Sequence, residues 1–311
     1  MKAYLTDPNA PGGIRQDDVS SPTLESNQAL IEVSHFSLNR GELNSALQGP
    51  AGRSIGWDVA GTVLQAPPGG PQLGSRVVAF SRASRGWAEQ VAVPLNDLAV
   101  VPETVPSATA ASLPVAALTA LYSLERGQRL LGSKVLITGA TGGVGNFAVA
   151  LARLMGAEVI AQVRRADQVK AVRLLGADTV IVDEQGDQLS ASGPYRLIVD
   201  GLGSRLTSKV IHSLSPDGIA VIYGVSDRQT LEIQPGFLLG SGTGRIEGFN
   251  LYRQSEIESI SRGLERLLGL IRSGKLQVAV DREVGWEDAP EVARDLLERK
   301  FSGKAVVRVR S

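Results

Sequence analysis

Three glycines carry the clearest chemistry in this sequence. In Val135-Leu-Ile-Thr-Gly139-Ala-Thr141-Gly142-Gly143-Val144-Gly145 they follow a short aliphatic run and open a helix-forming stretch. Glycine at 139 permits a tight turn, at 142 a close approach of backbone to a pyrophosphate, and at 145 close packing of helix on strand. A helix starting there turns its first N–H groups and its positive dipole toward phosphate oxygens. Gly139, Thr141, Gly142, Gly143, Val144 and Gly145 are therefore expected to bind a dinucleotide. The next aliphatic run, 158–163, ends in Arg164-Arg165. NAD sites usually carry Asp or Glu at that end for the ribose 2′-hydroxyl. Two guanidiniums suit a 2′-phosphate instead, which points to NADPH. The plainer alternative is a pair of solvated surface arginines.

A glycine turn means little without the elements around it. Residues 1–103 are β-rich, with aliphatic runs at 29–36, 59–64 and 76–80 separated by Pro, Gly and Asn clusters. The texture changes near Pro114, which opens a helix over 115–124. Strands at 134–138, 158–163, 179–182, 196–200 and 219–223 then alternate with helices at 146–155, 166–175 and 204–214. Such alternation of apolar strands and helices predicts a parallel sheet covered on both faces. Beyond it, the pattern predicts one long amphipathic helix over 256–273, another over 290–299 and a terminal strand over 304–310 that rejoins the first domain.

Composition closes several routes. The chain has 311 residues, 43% hydrophobic and 21% charged, enough to bury a core. Lys and Arg number 32, as do Asp and Glu, so no global charge draws nucleic acid or an anionic membrane. There is no cysteine, which excludes disulfides, thiolate metal sites and cysteine nucleophiles. The only histidines are His35, within a strand pattern, and His212, late in a helix pattern. They make no credible set for a catalytic zinc, which wants three protein ligands. Neither a secretory leader nor a membrane span is visible, and the expected setting is cytoplasmic.

Several segments line up in order along nearly the whole chain. They include Leu38-Asn39-Arg-Gly-Glu42, Gly56-Trp-Asp-Val-Ala-Gly61, Gly86-Trp-Ala-Glu89, Leu118-Thr119-Ala120, the glycine loop, Asp200-Gly-Leu-Gly203, Gly248-Phe-Asn-Leu251 and Phe301-Ser-Gly-Lys304. Together they resemble the medium-chain dehydrogenase/reductase superfamily, in its zinc-independent quinone oxidoreductase and enoyl reductase branch. The resemblance implies a Rossmann doubly wound parallel sheet (115–251) inserted in a GroES-like β-barrel domain (1–114 and 252–311). It also implies an active site in the cleft between the two, and a homodimer. Zinc-dependent relatives carry metal ligands in the segment that reads Gly56-Trp57-Asp58 here.

The resemblance nominates further residues. Asn39 matches an asparagine beside the nicotinamide, and the alternative is a loop residue stabilising its own turn. Glu42 matches an acidic position, or makes a local salt bridge with Arg40 or Arg53. Trp57 forms a flat wall for an aromatic or enone substrate, or packs in the core. Thr119 matches a cleft-side threonine, and Tyr122, three residues on, is a candidate O–H donor if it is not buried. Tyr223, Gly224 and Val225 end a Rossmann strand and, with Phe249, Asn250 and Leu251, are expected to hold the cofactor mainly through main-chain atoms. Lys304 matches a near-terminal basic residue of the cofactor site. Trp87, Trp286 and Phe237 are assigned to packing. Gln168 and Asp183 stand where the family has a phosphate-binding lysine and a ribose-side tyrosine.

The expected activity is hydride transfer from NADPH to a quinone or to the C=C bond of an α,β-unsaturated carbonyl, small-molecule acceptors that need no metal. Alternatives are an enoyl reductase for carrier- or CoA-bound acyl chains, and a non-catalytic protein that binds NADPH or RNA.

Overall fold

The computed structural model describes residues 1–226, 229–234, 236 and 244–309, so Phe237 lies outside the described residues. The chain divides into two compact units: Met1–Leu118 with Ser255–Ser311, and Thr119–Gln254.

In the first unit, β1 (Lys2–Thr6) pairs antiparallel with β2 (Ile14–Asp18). A seven-stranded sheet is built from β3 (Gln28–Ser37), β4 (Asp58–Gln65), β5 (Arg76–Phe80), β6 (Gln90–Pro94), β7 (Leu98–Val100), and the late strands Arg282–Gly285 and Ala305–Arg308. Strand β3 alternates buried and half-buried side chains, as a strand with one face on a core must. It pairs with β6 through its first half, with Ala305–Arg308 through its last residues and with β4 along its length. This register sets Ser37 opposite both Asp58 and Val306. The starts of β4 and of the last strand thus meet the end of β3, where α1 (Arg40–Gln48) begins. Aromatic rings fill the core beneath: Phe36 stacks on Trp87 at 5.1 Å, and Tyr4 stacks on Trp286 at 4.7 Å.

The second unit holds β8 (Lys134–Ile137), β9 (Glu158–Val163), β10 (Thr179–Val182), β11 (Tyr195–Asp200), β12 (Leu214–Ile222) and β13 (Arg245–Gly248). They form one sheet in the order β10-β9-β8-β11-β12-β13, every pairing parallel. Val135, Leu136 and Ile137 are fully buried, as both-faced cover demands. The crossover direction reverses between β8 and β11, which makes their carboxyl ends the topological switch point. Helices α2 (Ser107–Ala111) and α3 (Pro114–Glu125) precede the sheet, and α4 (Gly143–Leu154) follows β8.

One expected element differs. The stretch 256–273 is two helices, Leu251–Ile257 and Ile260–Arg272, rather than one. Asn250 Oδ1 accepts the N–H of Tyr252 and starts the first, while Ser259 is extended (φ −59°, ψ 142°) and starts the second. Asn and Ser are favoured starters, and the apolar period runs through the break without marking it.

Candidate functional site

The glycine turn is a cradle of main chain. Gly139 has φ +58°, and Gly142 N donates to Gly139 O at 2.9 Å. Helix α4 starts at Gly143 with no capping side chain among the described residues, so its first amides are open to an acceptor. A Cβ on Gly145 would stand 2.4 Å from Gly139 O and 2.8 Å from Ala140 Cα. The helix therefore meets the turn at a distance only glycine permits. Behind the turn, fully buried Gln162 accepts from Gly139 N at 2.8 Å and donates to Asp183 O at 2.7 Å. Gln162 was not singled out by its sequence, since one amide in an aliphatic strand gives no periodic signal.

Arg164 and Arg165 are exposed at the end of β9. Arg165 is forked onto Asp167, at 3.0 and 3.2 Å. Gln168 is buried, and its Oε1 accepts from the main-chain N–H groups of both arginines at 3.2 Å. Where the family carries a lysine, this chain thus has a clamp on the turn that displays the arginines. Asp183 accepts four main-chain N–H groups, from Gln185, Gly186, Gln188 and Leu189, at 2.8–3.1 Å. Burial works to raise the Asp183 carboxyl, but these four donors outweigh it and hold it below its ordinary value. Its oxygens organise their own loop.

At the ends of the neighbouring strands, buried Asp200 accepts from Thr207 Oγ1 and Gly203 N at 2.9 Å and from Thr138 Oγ1. Burial pushes its carboxyl up, against those donors. Tyr223 N donates to Asp200 O at 2.9 Å. Burial, then the nearby Asp200 charge, push the Tyr223 phenol up, so it stays a protonated donor. Val225 is exposed beyond Gly224. Phe249 N donates to Ile222 O at 2.8 Å, with Asn250 starting the next helix and Leu251 buried in it. Thr119 and Tyr122 are both buried on α3, Tyr122 being 1% exposed. That burial agrees with the core-packing alternative for Tyr122.

The first unit brings together four residues from three distant segments. Asn39 Nδ2 donates to Glu42 Oε1 (3.1 Å) and Asp58 Oδ2 (2.8 Å). Lys304 Nζ donates to Asn39 Oδ1 (2.8 Å), Leu38 O (3.1 Å) and Asp58 Oδ2 (3.2 Å). Asp58 also accepts from Ser37 Oγ (2.7 Å) and Val115 N (2.9 Å). Glu42 accepts from Asn39 N (2.8 Å) and Trp57 N (3.0 Å). Its partners are thus Asn39 and Trp57 rather than a local arginine. Burial, and next the Asp58 charge, push the Glu42 carboxyl up to about 8 against the opposing pull of Lys304. Glu42, Asp58 and Lys304 are buried, whereas Asn39 and Trp57 are half-buried. The Trp57 ring lies against Gly41. The expectation that Lys304 touches the cofactor is corrected here: an ammonium has three hydrogens, and three protein oxygens take them.

Among the described residues, no group of three or more His, Cys, Asp or Glu is placed to hold a metal ion, and no helix is long and apolar enough to cross a membrane.

Comparison with known proteins agrees with this architecture. Residues 143–266 match the family model described as zinc-binding dehydrogenase. That stretch holds one histidine, His212, and no cysteine. A putative quinone oxidoreductase, YhfP of Bacillus subtilis, is 26% identical over 94% of this chain and 93% of its own. The spectinabilin polyketide synthase protein NorB of Streptomyces orinoci is 30% identical over 96% of this chain, which spans 14% of that protein. Among solved structures, mycobacterial Rv1454c complexed with NADPH is 26% identical with a TM-score of 0.86, over 99% of this chain and 100% of that one. These likenesses agree with the resemblance to the medium-chain dehydrogenase/reductase superfamily, in its zinc-independent quinone oxidoreductase branch.

Proposed function

We propose that this protein is a zinc-independent oxidoreductase that transfers hydride from NADPH to a quinone or to the C=C bond of an α,β-unsaturated carbonyl. One observation carries the reading: uncapped α4 amides stand over a glycine turn too close for any side chain. That cradle fits a pyrophosphate. NADPH, when bound, supplies the hydride. Gly139 and Thr141 to Gly145 hold its phosphates, Arg164 and Arg165 face the 2′-phosphate, and Tyr223 to Val225 with Phe249 to Leu251 line the nicotinamide half. Thr119 in the second unit and Asn39 in the first are assigned to the cofactor, and Trp57 in the first is assigned to the acceptor as a flat wall. Hydride addition to a conjugated acceptor places charge on a carbonyl oxygen, which hydrogen-bond donors stabilise without a metal. The reading includes a homodimer in a cytoplasmic setting.

The similarity to a segment of a polyketide synthase favours one alternative, an enoyl reductase for carrier- or CoA-bound acyl chains.

The test is NADPH consumption by chelator-treated protein with small quinones, enones and acyl thioesters, NADH in parallel. Turnover without metal is expected, and the preferred acceptor selects between the two readings. Loss of turnover on chelation, restored by zinc, overturns both. A second expectation concerns the arginines. Arg164→Ala/Arg165→Ala should raise KM for NADPH by about tenfold or more, on the scale of a lost charge-assisted contact. KM for NADH should stay nearly unchanged. An unaltered NADPH-to-NADH ratio removes the arginines from the site.

A further inference from the structure

The turn after β9 carries Arg164 and Arg165 and closes on Gln168, the last residue of the single helical turn Ala166–Gln168. Gln168 is buried, and its partners fix which way its amide points. Its Oε1 accepts from the main-chain N–H groups of Arg164 and Arg165, both at 3.2 Å. Turning the amide over would set its NH2 against two N–H groups, so the oxygen must face the turn. Those two donors fill the two lone pairs of that oxygen. The NH2 then faces the glycine turn, where Nε2 donates to Thr141 Oγ1 at 3.4 Å. A hydroxyl that accepts there keeps its own hydrogen to give elsewhere. One buried side chain thus joins the two turns.

The acceptor on the neighbouring strand is saturated as well. Val182 of β10 pairs with Val163 of β9, and Asp183 N donates to Val163 O at 3.1 Å, which brings Asp183 beside the start of the arginine turn. Asp183 is buried, and each of its oxygens accepts two main-chain N–H groups, Oδ1 from Gln185 and Gly186, Oδ2 from Gln188 and Leu189. A carboxylate offers about four lone-pair sites, and all are used. A ribose 2′-hydroxyl asks its site for an acceptor, and neither Gln168 nor Asp183 has one to offer. A 2′-phosphate asks for donors. The main-chain donors of Arg164 and Arg165 are spent on Gln168, so the exposed guanidiniums are what this turn presents. Arg165 rests on exposed Asp167, a pair worth little in water and readily exchanged for a phosphate.

We propose that Gln168 is a positioning residue for selection of the cofactor's 2′-phosphate: it holds the arginine turn on the glycine turn, aims the two guanidiniums, and with Asp183 denies an acceptor to a ribose 2′-hydroxyl. This rests on the function proposed above and adds how the 2′ group is told apart.

The test compares, by calorimetry, two fragments that differ in that group alone, adenosine 2′,5′-bisphosphate and adenosine 5′-monophosphate. The unaltered protein should prefer the bisphosphate. Arg164→Ala/Arg165→Ala should cut that preference by about tenfold. Gln168→Met, of similar length and without an amide, should cut it by about fivefold, the scale of the hydrogen bonds lost, and should add nothing once both arginines are gone. If Gln168→Met weakens both fragments equally, the residue only supports the local fold and the proposal is overturned. If the arginine variant loses the preference and Gln168→Met keeps it, the positioning role is wrong while the arginine assignment stands. If the arginine variant keeps it too, that assignment fails and the proposal falls with it. Should Gln168→Met fail to fold, main-chain amide exchange in the unaltered protein decides. Slow exchange at Arg164 and Arg165 supports the clamp, and exchange at the rate of exposed amides overturns it.

Discussion

Gly145→Ala is expected to abolish NADPH binding at millimolar concentration and to destabilise the second unit by about 2–3 kcal/mol, the upper part of the range for overpacking a tight site. The added methyl would stand 2.4 Å from Gly139 O and 2.8 Å from Ala140 Cα. Both are main-chain atoms of a turn pinned by Gln162 and by the 2.9 Å bond from Gly142 N to Gly139 O. No side chain can swing aside. Either α4 retreats from the end of β8, or the turn opens, and each disperses the amides proposed to hold the phosphates. Gly142→Ala supplies the contrast. Its Cβ would lie 3.3 Å from the same oxygen, a shift of a few tenths of an ångström, and its φ of −74° suits any residue. Thermal melts and NADPH fluorescence titration on both variants should give the order unaltered, Gly142→Ala, Gly145→Ala. Wild-type NADPH affinity in Gly145→Ala would show that the helix does not depend on that approach.

Five of the six strands of the second unit were legible because each holds a short apolar run ended by Gly, Asp or Arg, whereas β13, Arg245-Ile-Glu-Gly248, has two charges in four residues and gave no such run. Burial on both faces leaves that composition as its trace. The glycine turn was legible for a related reason: Gly139 takes a positive φ, Gly145 leaves no room for a Cβ, and the spacing of the glycines is itself the signal. The cluster around Asn39 left no comparable trace. Its members come from 39–42, 58 and 304, and only the pairing of β3 with β4 and with Ala305–Arg308 brings them together. The spacing Asn39-x-x-Glu42 was a usable sign of a helix start, yet α1 went unnoticed because Gly41 and Asn44 weaken its helical pattern. Lys304 was placed at the cofactor because it matches a near-terminal basic residue of the family. The structure spends that charge inside, on Asp58. Gln162 and Asp183 show the same limit: a polar residue that serves main-chain groups looks, in sequence, like one that serves a ligand.

The buried cluster also makes stability depend on pH in an unusual direction. Two carboxyl groups, Glu42 and Asp58, share one ammonium, Lys304, with Asn39 between them. The burial of Glu42 and the charge of Asp58 raise its carboxyl from an ordinary 4.5 to about 8. A group whose value is higher folded than unfolded contributes its full stability below the unfolded value and loses it as pH rises through the folded one. Below about pH 4.5 both states carry the proton, between 4.5 and 8 only the folded state does, and above 8 neither does. Folding stability should therefore fall from pH 5 to pH 8, by a few kcal/mol at the scale of 1.36 kcal/mol per unit. Glu42→Gln removes the titration. Its NH2 must face an N–H from Asn39 or Trp57, so the variant carries a penalty, but one that does not change with pH. Urea denaturation of both proteins at pH 5.5 and 8.5 isolates the effect, because every other titrating group is common to the pair. The loss between the two pH values should be several-fold smaller in Glu42→Gln. Equal losses would mean that Glu42 stays ionised throughout, held by its three N–H donors, and that the first unit tolerates an uncompensated buried charge.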